Sequence, residues 1–315
     1  DSPTGMISLV LTTNPGLEDV VERELRRLAI ADGVAVEQVV YPYDGRNGRV
    51  LVTLGCDRPT AVALAHRMRT IHHIIRPIAR LTLAEDDPMI ALRAAAGALS
   101  VEEMEGAGRF RVTGTRKGTH PFTSIDVQRA VGAGFIDRYG TAVGLKAFDV
   151  EIRADVLDDR CDIGVQVTGR SLSRGAWRPY RPRTALKTNV AVALLDIASD
   201  GPPGVLLDPF CGSGTILIEA ATVFPQAKLI GIEKFDKPAA GVLENLEHFG
   251  VTAEIIQGDS RFLEERLPEA SVDLIVANPP FGVKLGGKVD FDFFYNRLLA
   301  GAAHVLRPGG RIALL

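Results

Sequence analysis

The chain contains no apolar run approaching the ~20 residues that a membrane-crossing helix requires, so no membrane partner is expected. Its three cysteines, Cys56, Cys161 and Cys211, are scattered and odd in number. No two of them have metal-ligand spacing, which leaves free thiols in a reducing cytoplasm as the expectation. The six histidines, including the pair His72-His73, also lack ligand spacing, so no metal is expected. The N-terminal DSPTGMISLV lacks the charged-then-apolar pattern of a secretory signal. Low-complexity tracts and short-period repeats are absent. Aromatics are scarce at 6%, with a single tryptophan, which makes the position of Trp177 informative.

What is present is the composition of an ordinary globular protein: 315 residues, 46% hydrophobic and 24% charged, enough for two or three cores. Charge is unevenly spread. Residues 188–315 carry 10 Lys and Arg against 16 Asp and Glu, while residues 1–187 carry 26 against 23. The positive excess is concentrated between Arg170 and Lys187, where Arg170, Arg174, Arg178, Arg181, Arg183 and Lys187 occur without one acid, and Trp177 and Tyr180 lie among them. Such a stretch suits a phosphate backbone with unstacked bases nearby. A solvated, proline-broken linker accounts for it about equally well.

Residues 6–80 alternate strand and helix signals. MISLVLTT is strand-like. NPGLEDVVERELRRLA opens with Asn14 as a cap before Pro15, and Leu17, Val20, Val21, Leu25 and Leu28 share one helical face. GRVLVTLG reads as a strand, RPTAVALAHRMR as a helix and IHHIIRPIARL as a strand. Residues 86–172 repeat the theme. DPMIALRAAAGAL is helical and RFRVTGTRKG a strand, with Arg116 and Lys117 in a turn. TSIDVQRAVGAGFIDRYG is a helix capped by Thr123 or Ser124, and FDVEIRADVLDDRCDIGVQVTG a hairpin about Asp158-Asp159. From residue 184 the character changes. After the helical RTALKTNVAVALLDIA come five apolar, β-branched runs separated by amphipathic helices, the pattern of a parallel, doubly wound sheet.

In that sheet DPFCGSGTILIEAA is strand, Gly-rich turn and helix. Gly212 and Gly214 let backbone approach a ligand, and the helix beginning near Thr215 offers free N–H groups. A nicotinamide fingerprint would need a third glycine where Leu217 stands, which argues against that cofactor. The next two strands end in Glu233, placed to bind ribose hydroxyls, and Asp259, placed to accept from an adenine amino group. Singly, each is an ordinary surface acid; in order at three successive strand ends they describe a nucleoside pocket. The fourth strand runs into ANPPFG, where two prolines stop the ladder and leave an amide and a ring on a stiff loop.

These residues resemble class I S-adenosylmethionine-dependent methyltransferases. DPFCGSG, GIEK and GDS are similar to the first three cofactor elements of that family. NPPF is similar to the fourth element of enzymes that methylate exocyclic amino groups of bases. The resemblance implies S-adenosyl-L-methionine as cofactor and S-adenosyl-L-homocysteine as product. It assigns Asp208, Pro209, Phe210, Gly212, Gly214, Thr215, Glu233, Asp259 and Asn278 to the cofactor, and Asn278, Pro279, Pro280 and Phe281 to catalysis. A base amino group is a poor nucleophile because its lone pair is delocalised. Acceptors that hold its N–H protons, here the Asn278 oxygen and a prolyl carbonyl, favour a pyramidal nitrogen, and Phe281 can stack on the base. Extrusion of the base from its stack is required. The family's sheet ends in an antiparallel hairpin after the fifth strand. This chain stops at Leu315, so an incomplete sheet with an open edge is expected.

HPFTSIDVQRAVGAGF and GRSLSRGAWRPYRPRTALKTNVA resemble the RNA-binding THUMP domain and its junction with a methyltransferase. The resulting organisation is α/β: a ferredoxin-like module over 6–80, a THUMP domain over 81–172, a basic linker over 173–183, and a doubly wound, Rossmann-like methyltransferase domain over 184–315, lacking its last hairpin. The resemblance is to the tRNA guanine-N2 methyltransferase group. It implies the acceptor end of tRNA as partner, with the acceptor-stem guanosine at position 6 favoured over the start of the D arm or ribosomal RNA. Arg116, Lys117, Arg174, Arg178, Arg181 and Arg183 are the candidate phosphate contacts, with Arg109 and Arg111 behind them. A monomer is expected. Adenine N6 methylation, and a non-catalytic RNA-binding protein on a relic fold, remain as alternatives.

Overall fold

The computed structural model describes residues 5–280 and 290–315 and divides the chain into two compact units, Asp1–Leu172 and Ser173–Leu315. The first unit starts with β1 (Ile7–Thr12), α1 (Glu18–Asp32), β2 (Ala35–Val40), β3 (Arg49–Gly55), α2 (Arg58–His66) and β4 (His73–Thr82). These strands stand in the order β2-β3-β1-β4 and pair antiparallel. Strict alternation in β3 buries Val50, Val52 and Leu54, which meet Leu9 and Leu11 of β1 and the Val21, Leu25 and Ala29 face of α1. Asn14 does not cap α1. The chain turns through Gly16 (φ 92°), the helix begins at Glu18, and Asn14 Oδ1 instead accepts from His72 Nε2 at 2.6 Å.

The rest of this unit is α3 (Pro88–Ala98), β5 (Arg109–Thr113), β6 (Arg116–Lys117), α4 (Ser124–Tyr139), β7 (Ala142–Val143), β8 (Val150–Leu157) and β9 (Arg160–Gln166). Thr123 caps α4 through a reciprocal capping box with Asp126. Asp158 (φ 52°) turns the hairpin between β8 and β9. The helices α3 and α4 touch through glycines: a Cβ on Gly134 would lie 2.3 Å from the Arg93 carbonyl oxygen. Their apolar faces close a second core around Phe110 and Phe135, whose rings meet edge-on at 6.1 Å. Strand β4 pairs with β9 from Ile75↔Gln166 to Thr82↔Arg160, so both cores lie on one continuous sheet, extended by β8, β5 and β7 with β6 beside β8.

The second unit is built from α5 (Thr188–Ala198), β10 (Val205–Asp208), α6 (Thr215–Val223), β11 (Lys228–Glu233), α7 (Asp236–Phe249), β12 (Glu254–Gln257), β13 (Val272–Ala277), α8 (Phe291–Val305) and β14 (Leu306–Leu314). Its strands are all parallel, in the order β12-β11-β10-β13-β14. Both faces are covered, which is why these runs are continuously apolar. Leu206, Leu274 and Val276 enter one core with α5, α6 and α7; Leu207, Ile275 and Ile230 enter the other with Leu298 and Ala302 of α8. Chain order reverses at β10, with β11 on one side and β13 on the other. The carboxyl ends of these strands therefore flank the crevice where ligands bind in open α/β sheets.

Candidate functional site

Four residues singled out in the sequence stand at or just past those strand ends. Asp208 is the last residue of β10, Glu233 the last of β11, Asp259 follows β12, and Asn278 follows β13. Asp208 is buried and accepts from the Phe210 amide at 3.0 Å. Burial pushes its carboxyl up to about 7; the Phe210 bond offsets part of that and the nearby Glu233 charge adds to it. The Glu233 carboxylate accepts from the amides of Gly212, at 3.2 Å, and Phe235, at 3.1 Å. Two acidic groups thus meet at one turn, and a cation is the ligand chemistry they favour.

The turn itself is set by its glycines. Gly212 (φ 52°) and Gly214 (φ 81°) adopt left-handed backbone, and a Cβ on Gly214 would sit 2.7 Å from Val242 Cγ2. Thr215 is the first residue of α6. The Pro209 carbonyl accepts from Ser260 Oγ, and Phe210 packs on Phe294 with ring centroids 5.7 Å apart. Asp259 is strongly engaged: Arg261 and Lys234 hold its carboxyl well below the usual range, with an Arg261 Nη2 contact at 2.6 Å and a Lys234 Nζ contact at 3.0 Å. An adenine amino group approaching Asp259 meets a carboxylate already partnered by two cations.

Asn278 occupies a different environment. Its Oδ1 is shielded from solvent and has no hydrogen-bond partner among the described residues. Pro279, buried, and Pro280 follow directly. Phe281 lies outside the described residues. An unsatisfied sheltered acceptor is costly, about 1–3 kcal/mol, and such groups point to a site that a ligand donor completes.

The basic candidates separate into different roles. Arg116 and Lys117 are exposed but belong to the short strand β6, paired with Val156 and Leu157, and not to a turn. Arg116 Nη1 contacts the Gly118 carbonyl and His120 Nδ1, each at 3.1 Å. Arg109 is exposed, whereas Arg111 is committed to Glu151 at 2.9 Å and to the Phe148 ring. Arg174, Arg181 and Arg183 are exposed. Arg178 is not: it is 5% exposed and donates from Nη1 to Thr215 Oγ1 at 2.9 Å. Burial removes it from any surface that phosphates could reach, so its assignment as a phosphate contact is corrected.

Sequence reasoning missed Asn245. This fully buried amide of α7 donates from Nδ2 to the carbonyls of Ser213, at 2.8 Å, and Tyr180, at 2.7 Å, and accepts from the Tyr180 amide at 2.9 Å. The available signal was a polar residue on the apolar stripe of Ala239, Val242 and Leu246. Among the described residues no group of three or more His, Cys, Asp or Glu can hold a metal, and no helix is long and apolar enough to cross a membrane.

Comparison with known proteins agrees with this geometry. Residues 175–315 match the model of an RMKL-like methyltransferase domain, and residues 89–166 match the THUMP domain. A tRNA (guanine(6)-N2)-methyltransferase of Thermus thermophilus is 39% identical over 98% of this chain and 88% of its own length. The chain is a THUMP-domain methyltransferase of the RMKL-like family. An Archaeoglobus fulgidus tRNA (guanine(6)-N2)-methyltransferase is 28% identical over 99% of this chain and 85% of its own. The crystal structure of TrmN from Thermus thermophilus superposes with a TM-score of 0.80 at 38% identity, covering 98% of this chain and 88% of that one. In this methyltransferase the Gly-rich turn follows β10, where the chain order reverses, and Asn278 follows its neighbour β13.

Proposed function

We propose that the chain methylates the exocyclic N2 of a guanosine in cytoplasmic tRNA, at acceptor-stem position 6, with S-adenosylmethionine as the methyl donor, acting as a monomer. The observation that carries the reading is Asn278 Oδ1, an acceptor sheltered from water and without a partner among the described residues, at the end of β13 ahead of two prolines. An N–H of the guanine amino group completes it. Held there, the amino nitrogen turns its lone pair outward, and the prolines keep the acceptor aligned before reaction. No strong base is needed, because the proton becomes acidic once the methyl is on nitrogen.

The residues of the Gly-rich turn fit the cofactor. Asp208 and Glu233 form an acidic pair suited to a ligand carrying positive charge, and left-handed Gly212 and Gly214 open the backbone to close approach. When bound, S-adenosylmethionine supplies an electrophilic methyl on a sulfonium sulfur, leaving as S-adenosylhomocysteine. Asp208, Glu233 and the Gly212–Thr215 backbone would hold it, with Asp259 beside them. The position and the base are supported by the names of the two relatives. The THUMP-matching unit, with exposed Arg116 and Lys117, and the exposed Arg174, Arg181 and Arg183 serve the acceptor end of the tRNA.

The test is transfer of a tritiated methyl group to bulk unmodified tRNA, followed by nucleoside digestion and mass spectrometry. N2-methylguanosine is expected, and it disappears when the substrate carries adenosine at position 6. N6-methyladenosine, or no transfer while S-adenosylhomocysteine binds, would overturn the reading.

A further inference from the structure

The stretch from Arg174 to Arg183 has two faces. Outward stand Arg174, Arg181 and Arg183, with Trp177 66% exposed. Inward stand Arg178 and Tyr180. The Tyr180 ring lies so close to α7 that a Cβ on Gly241 would be 2.2 Å from it. The backbone of Tyr180 is held from both sides by Asn245, whose amide nitrogen also holds the Ser213 carbonyl of the Gly-rich turn. Two residues away, Arg178 grips Thr215 at the start of α6. Gly175 (φ 66°) lets the stretch pass Thr188, where a Cβ would be 2.5 Å from Oγ1.

This placement of Arg178 opposes ordinary preference. A cation at a helix N-terminus works against the helix dipole, and a buried guanidinium needs partners. Yet its Nε has no partner among the described residues. The buried carboxylate of Glu219, one turn further along α6, provides the countercharge of Arg178. What Arg178 does accomplish is to fix Thr215 and, with Asn245 on Ser213, to hold the two residues on either side of Gly214, in a turn that Gly212 and Gly214 leave conformationally free.

From these contacts we propose that Arg178 and Asn245 are positioning residues that hold the Gly-rich turn in its cofactor-receiving shape. They act through Thr215 and Ser213 without themselves touching the ligand. The proposal rests on the cofactor reading above but is tested separately from it. The turn is loosened in Arg178→Met, which keeps an unbranched apolar stem without the guanidinium, and in Tyr180→Ala, which releases the stretch from Gly241. Arg178→Lys serves as the conservative rescue.

The first readout needs no ligand. By hydrogen exchange on the full chain, the amides of Gly212, Gly214 and Ile218 are expected to exchange at least tenfold faster in Arg178→Met and Tyr180→Ala. Those of Ile230 and Ile275 in the sheet keep parental rates, and Arg178→Lys recovers part of the protection. The second readout is calorimetric binding of S-adenosylhomocysteine and of 5′-methylthioadenosine, which lacks the amino-acid end. Positioning predicts a similar loss, about tenfold, for both. Unchanged exchange at the turn, or faster exchange throughout the unit, would overturn the proposal. So would a loss confined to S-adenosylhomocysteine, since that means direct contact with the amino-acid end. If the parent binds neither ligand, the cofactor reading fails and the exchange data still decide the role of Arg178.

Discussion

The amide of Gly212 donates to the carboxylate of Glu233 at 3.2 Å, tying the Gly-rich turn after β10 to the end of β11. Removing that carboxylate acts on both the turn and the ligand. Glu233→Ala is expected to weaken S-adenosylhomocysteine binding by at least tenfold in calorimetry while circular dichroism stays parental, because Glu233 is not part of either core. Parental affinity would separate Glu233 from the pocket.

Asp208 gives the second unit a pH dependence of definite sign. Its carboxyl is raised from 3.8 to about 7, by burial first and by Glu233 in addition. The folded state therefore keeps a proton that the unfolded chain releases, so this contribution is complete below about pH 4 and is lost as pH rises through about 7. The shift corresponds to a contribution on the order of 4 kcal/mol. Urea unfolding between pH 5 and pH 8 is expected to show falling stability in the parent and a flatter profile in Asp208→Asn. Asp155 does not interfere: burial would raise it, but Arg153 and Arg49 more than reverse that, and its own transition lies at lower pH.

Asn278→Ala is expected to reduce methyl transfer by about 10²–10³-fold, the usual effect of losing one aligned hydrogen-bonding group. Affinity for S-adenosylhomocysteine should remain within about threefold, because Asn278 is assigned chiefly to the base. Single-turnover transfer beside calorimetry measures both. Unchanged transfer would remove Asn278 from the reaction.

In the first unit, Gly134→Ala is expected to destabilise by about 1–3 kcal/mol, the range for overpacking. The added Cβ would lie 2.3 Å from the Arg93 carbonyl, which α3 cannot yield without leaving α4. Helix propensity alone predicts the opposite sign, since Ala exceeds Gly by about 1 kcal/mol. A lowered urea midpoint decides between them.

Replacing Arg116 and Lys117 with Ala is expected to weaken tRNA binding and flatten its dependence on salt by roughly two phosphate contacts. Filter binding at several salt concentrations checks this. A slope equal to the parent's would assign the pair to strand β6 alone.

The parallel sheet was the most legible part of the molecule. Leu206-Leu207 and Leu274-Ile275-Val276 are apolar at every position because both faces are buried, and their ends carry Asp208 and Asn278. The hairpin at Asp158 and the Thr123 cap were readable because their signals are local. Strand β2 was not, since Ala35–Val40 is mostly exposed and shows no alternation. The short β6 and β7 exist only through pairing with distant partners. Arg178 was misread for a related reason. The other arginines of its stretch, Arg174, Arg181 and Arg183, are exposed, and only the tertiary approach of Thr215 distinguishes it. Asn245 is the converse, a residue whose partners at Tyr180 and Ser213 lie 65 and 32 positions away.

The pairing of β4 with β9 has a consequence for how this protein can be divided. Cut between them, each half would carry a raw strand edge, seven paired positions long, into solvent. The segment that matches the THUMP model is thus not a cassette that moves alone. Its neighbour over the first eighty-odd residues supplies the selvedge that keeps it from fraying into aggregates, and the two are expected to be inherited, expressed and unfolded as a single piece of cloth.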